Sequence, residues 1–164
     1  MKPRPEKTPT YIAEFEVGTT SKERSVLRSR LEAGRQLYNA VLGETMSRLG
    51  NMRKDIGFAV AKAMHKPSAK KAAFTDLREK HGFREYDLHK LSSLSPNSWL
   101  RGHLDDNTAQ KVATRAFKAA ERFSFGESGR PRFKRYGELE SVEGKSNTAG
   151  SLPRLDRYAS TATP

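Results

Sequence analysis

Four cations recur at one-turn spacing between residues 105 and 125. At 100° per residue, Lys111, Arg115, Lys118 and Arg122 fall within about 60° of one another on a helix. Ala109, Val112, Ala113, Ala116, Phe117, Ala120 and Phe123 occupy the opposite side. A helix with that pattern packs on one side and offers the other to a row of phosphates. The competing reading is a solvated face, but such faces mix signs and only Glu121 lies near this one. Earlier in the chain, Arg24, Arg28 and Arg35 line up beside an apolar helical arc, with Asn39 next along. They suit either a groove edge that holds guanidinium groups or simple snorkelling of long stems over the core. A third segment, Gly129–Tyr136, interleaves Arg130, Arg132, Lys134 and Arg135 with Phe133 and Tyr136. That mixture fits backbone-plus-stacking contact with single-stranded or structured RNA. It equally fits a basic hairpin edge that resists aggregation.

Enzymatic constellations are scarce. His65, His81, His89 and His103 are never three or four apart on one helix, so no metal pair is evident. Asp105-Asp106 reads as a helix N-terminus rather than a carboxylate dyad, and the remaining acids are dispersed among cations. No G-x-S-x-G, P-loop or G-x-G-x-x-G is present. With no cysteine, a disulfide framework, a Cys-based zinc site and a thiolate nucleophile are excluded. The expectation is no catalytic residue, no metal and no cofactor. Trp99, after a Ser-Pro break, is expected to anchor the core rather than to stack on a base.

These residues need elements to position them. The 164-residue chain is of one-domain size and carries 31 Lys+Arg against 19 Asp+Glu, a formal net charge of +12. Leu, Ile, Val and Phe together fall below the ~20% under which high net charge begins to favour disorder. A polyanionic partner is therefore expected to complete the fold. No apolar run approaches the length of a membrane span and no secretory pattern opens the chain, so an intracellular, cytoplasmic protein is expected, with nucleoid association through nucleic acid. Residues 1–9 read as a flexible lead-in and 146–164 as a disordered tail. Within 10–20, Tyr11–Val17 alternates as a strand. Thr20 and Glu23 form a capping box, so a helix starts at Ser21, and Gly50-Asn51 is its expected stop. Leu27, Leu31, Tyr38, Val41, Leu42 and Leu49 form its apolar arc. Further helices are expected over Met52–Met64, Pro67–His81, Glu85–Leu94 and 105–125, within a helical region spanning 21–127. Residues 128–145 read as returning strands. The order gives an α+β, mainly helical fold.

Three stretches resemble one family. Arg35-Gln36-Leu37-Tyr38-Asn39-Ala40-Val41-Leu42, then Ala116-Phe117-Lys118, then Gly129-Arg130-Pro131-Arg132-Phe133-Lys134 resemble, in order and spacing, the N-terminal region of TnpB-type proteins. These are the OrfB products of insertion sequences, related to type V CRISPR effectors. Ser141–Asn147 is also similar to the sequence that follows in one branch, and the likeness covers about residues 8–149. It implies a helical recognition lobe inserted in a partial wedge-type β-barrel, entered at Tyr11–Val17 and resumed near Arg132. It further implies binding of guide or scaffold RNA and of the heteroduplex with a DNA target strand. The family's nuclease domain and Cys-rich zinc ribbon lie C-terminal to this stretch and are absent from this sequence. Ser151–Pro164 departs from the pattern, as a truncated reading frame would. The expectation is a protein that binds and does not cut, with a full-length homologue or a separate nuclease half as further partners. The alternatives are a nuclease-dead regulator or competitor of the full-length protein and an unrelated helical DNA-binding module.

Overall fold

The computed structural model describes residues 18–93 and 98–143. The expected strand at Tyr11–Val17, the lead-in, residues 144–145 and the tail lie outside the described residues. Among the described residues there are five α-helices: α1 (Ser21–Lys54), α2 (Ile56–Ala63), α3 (Pro67–Lys80), α4 (Glu85–His89) and α5 (Asp106–Ser124). Two 3-10 turns, Lys90–Ser92 and Trp99–Gly102, link α4 to α5. The described chain is mainly helical.

The capping box starts α1. Thr20 Oγ1 accepts the Glu23 N–H at 3.3 Å and Glu23 Oε2 accepts the Thr20 N–H at 2.7 Å. The helix then runs 34 residues, through Gly50-Asn51, and stops only at Asp55. Asp55 is extended, and its carboxylate accepts the Gly57 N–H at 2.8 Å, capping α2. The single helix expected over Met52–Met64 is therefore two helices joined at a cap. Glycine ends α3 and α5 as the sequence suggests, with Gly82 and Gly126 at φ +61° and +77°. The helix expected over Glu85–Leu94 is shorter, because α4 ends at His89 and tightens into the 3-10 turn.

The core is a parallel pair, α1 and α5. Leu27 and Leu31 line a cavity with Leu104 and Thr108 at one end, and Leu49 and Met52 line another with Ser124 and Phe125 at the other. Ala109, Ala113, Ala116 and Ala120 are fully buried on α5, so small side chains let the helices approach closely. Leu37, Val41, Leu42 and Leu49 supply the bulk from α1. Phe83, in the turn between α3 and α4, and Leu88 of α4, also fully buried, close the space, with Phe83 tilted on Phe117 at 5.4 Å. Trp99 is not a core anchor. It is 47% exposed and meets His103 edge-on at 5.2 Å.

The returning strands are not seen: residues 128–143 contain no strand. Instead the segment after α5 runs back along the groove between α1 and α5. Phe133 lies on Gly43, Lys134 beside Asn39, and Leu139 and Val142 over Gly34. A β-carbon at Gly34 would sit 2.9 Å from Leu139 Cδ2, so the glycine is where the segment presses closest. Leu139 is buried there. Alternating aromatic and apolar residues mimic a strand, but helix side chains, not a neighbouring strand, meet the backbone.

Candidate nucleic-acid interface

The bonds that hold the return segment come from residues whose types suggested phosphate binding. Asn39 Nδ2 donates to the Lys134 carbonyl and Asn39 Oδ1 accepts the Lys134 N–H, both at 2.8 Å. Arg35 Nη1 donates to the same carbonyl at 2.9 Å while its Nε and Nη2 grip Glu32 at 2.8 and 2.6 Å. The guanidinium beside Glu32 holds that carboxyl below its usual range, and Glu32 in turn raises the Arg35 pKa. On α5, Arg115 Nη1 donates to the Ser141 carbonyl at 3.1 Å and Lys111 Nζ stands 4.0 Å from Glu143. Arg35, Asn39, Lys111 and Arg115 thus brace the protein's own chain. The stripe on α5 is divided, its first half turned to the return segment and its second half open.

Lys118 and Arg122 form the open half, exposed one turn apart with no ion pair or hydrogen bond to the described residues. Arg122 shares a cavity of about 640 Å³ with Arg132 and Lys134, walled by Tyr38, Pro131 and Phe133. Phe133 is 61% exposed, so its ring offers a face as well as covering Gly43. Burial raises the pKa of the Tyr38 hydroxyl at this cavity, against the charge of Arg115. Glu138 and Glu140 line the cavity too, so it is a mixed site with three cations beside two carboxylates. The Arg130 and Arg135 side chains are exposed and make no bond to the described residues. Arg122 of α5 and Arg132 of the return segment therefore meet at one cavity although ten residues separate them in sequence.

The first-helix arginines do not join them. Arg24 reaches only the Thr19 carbonyl, at 3.5 Å, and sits about 21 Å along α1 from Tyr38. Arg28 is exposed and lines a separate cavity of about 370 Å³ with Arg35 and Tyr136.

Two features escape a reading of the sequence. The Asn39 bracket joins positions 95 residues apart, and no local pattern signals it. A second basic groove, carrying Arg53, Lys62, Lys71 and Arg78, is assembled from α1, α2 and α3 and the end of α5. Among the described residues no group of three or more His, Asp or Glu converges as a metal ion would need. No helix among them is long and apolar enough to cross a membrane. No family model, curated protein or solved structure matches this chain.

Proposed function

We propose that this chain binds structured RNA of guide or scaffold type, as the N-terminal part of a TnpB-like protein. The observation that carries the reading is the meeting of Arg122 and Arg132 at one cavity beside the exposed Phe133 ring, with Lys118 one turn back on α5 and Arg130 two residues before Arg132, all four side chains exposed and unpaired with the described residues. Cations without internal partners are free to release counterions from a phosphate backbone, and an aromatic face beside them can take a base. The resemblance points to the same place: Lys118 and Gly129–Lys134 belong to the matching stretches. The partial wedge-type barrel rests on the resemblance alone. No residue is assigned a catalytic role, and the DNA target strand is a partner only through the heteroduplex. The covered half of the α5 stripe argues against the helical DNA-module alternative, because a recognition helix needs its reading face clear of its own chain.

The test is filter binding of a structured RNA across a salt series, with the variant Lys118→Gln/Arg122→Gln/Arg130→Gln/Arg132→Gln. The log–log salt slope should flatten by about 0.7 for each phosphate contact removed from a single strand, or about 0.9 from a duplex. Circular dichroism should hold, since all four side chains are exposed. An unchanged slope assigns these cations to solubility and ends the reading.

A further inference from the structure

At the far end of the α1–α5 pair lies a groove of about 810 Å³. Its apolar lining is Leu49 and Met52 from α1, Phe58 from α2, Phe74 from α3, and Phe125 just past α5. Phe58 and Phe74 meet edge-on at 5.4 Å, and Phe125 is 62% exposed at the rim. Its cations are Arg53, Lys62, Lys71 and Arg78, and no carboxylate lines it. Arg78 is committed, with Nη2 3.1 Å from Glu121 and the guanidinium 5.1 Å from the Phe125 ring centre. Arg53 lies 5.0 Å over Phe123. Lys62 and Lys71 form no ion pair with the described residues, and both are exposed. The groove is thus an aromatic bowl with two uncompensated lysines at its rim.

We infer that this bowl takes one unpaired nucleotide of a bound RNA strand, its base against Phe125 and its phosphate between Lys62 and Lys71. A planar base suits an aromatic lining, and the two lysines supply the charge that a phosphate needs. The walls come from four elements joined around the bowl, α1 to α2 to α3 and, through Arg78–Glu121, back to α5. An exposed aromatic ring beside two unpaired lysines is the pairing that a base and its phosphate need, which favours a nucleotide over an acidic protein helix. The inference rests on the RNA-binding reading but uses a different surface from Arg122 and Arg132, so the two can fail separately.

The experiment uses the full chain and two RNA probes: a blunt hairpin whose loop is a non-nucleotide linker, so that every base is paired, and a short single strand carrying a fluorescent purine analogue. Binding should quench the analogue, as stacking on an aromatic ring does. Phe125→Ala should weaken the single strand about 5- to 150-fold, the span expected for one lost base–aromatic stack. It should leave the hairpin unchanged. Lys62→Gln/Lys71→Gln should weaken the single strand selectively and should flatten its salt slope by about 0.7, for the one phosphate that the two cations share. Both variants alter exposed side chains, so folding is checked by circular dichroism and should hold. If the hairpin binds while the single strand does not, or if Phe125→Ala leaves quenching and affinity intact, the bowl is not a base site. Equal weakening of both probes by the double lysine variant also overturns it, since the rim then acts as diffuse charge. If neither probe binds, the RNA reading itself falls. Competition by an acidic amphipathic peptide, with no competition by a mononucleotide, would give the bowl to a protein partner instead.

Discussion

At the scale of single residues, Asn39 does what a neighbouring strand would otherwise do. Its amide presents one donor and one acceptor, the same pair as a peptide unit, and both meet the backbone of Lys134. A helix side chain thereby supplies a rung of sheet-like pairing to a segment that has no strand beside it. Arg35 gives the Lys134 carbonyl a second donor, so Asn39→Ala leaves that oxygen bonded and strands only the N–H. Leaving one part-buried donor unpaired costs about 1–3 kcal/mol, and the half-buried position favours the low end. The variant should therefore lose about 1 kcal/mol in urea unfolding. Trypsin should also cut faster at Arg132, Lys134 and Arg135, because the return segment opens before the helices do. An unchanged cleavage rate would mean that Leu139 and Val142, packed over Gly34, hold the segment without the bracket.

At the scale of elements, Asp55 is the joint. It ends α1, caps α2 through Gly57, and reaches the end of α3, with Oδ2 at 2.8 Å from both Lys80 Nζ and His81 Nε2. Those two side chains, and then the Gly57 N–H, hold the carboxyl well below its usual range. The unfolded carboxyl titrates near about pH 3.9, so the stabilisation is present above that pH and is lost as pH falls toward the lower folded value. Asn at this position keeps the acceptor for Gly57 and loses the charge. Asp55→Asn should lower the urea midpoint at neutral pH, and the gap to the parent should narrow toward about pH 2. A gap that stays constant would assign the joint to hydrogen bonding alone. The same aspartate shows why part of the fold was legible and part was not. Caps are local, so Thr20-x-x-Glu23, Pro67, Gly82, Asp105 and Gly126 mark the ends of α1, α3 and α5 in the sequence itself. Asp55 sits inside a helical pattern, and only its ties to Gly57, Lys80 and His81 make it a break. Residues 128–143 read as strands because alternation reports which side is apolar, not what partners the backbone, and here the partners are Asn39, Arg35 and Arg115. The stripe on α5 was legible as a face, yet its division into a covered and an open half depends on where the return segment lies. Trp99 misled because burial of a lone aromatic depends on neighbours that the local sequence does not name.

At the scale of the whole molecule, charge opposes compaction. A net +12 on 164 residues repels itself, and the described core rests chiefly on one helix pair with small side chains at its centre. Self-repulsion is screened by salt, so the melting temperature of the free protein should rise as salt is added. Binding to RNA has the opposite dependence, because counterion release weakens as salt rises. A ligand that binds only the folded form adds RT ln(1 + [L]/Kd), about 2.7 kcal/mol at a hundredfold excess over Kd. For a chain of this size, that corresponds to a rise of about 5–10 °C. The two slopes separate causes that a single melting curve would merge. Structured RNA should raise the melting temperature at low salt, and that increment should shrink across a range where the free protein gains stability. Heparin supplies the same charge without bases or a folded backbone, so a smaller increment with heparin at matched saturation would credit a shaped site. Equal increments would leave only polyanion attraction, and a free protein whose melting temperature is high and indifferent to salt would show that repulsion does not limit this fold.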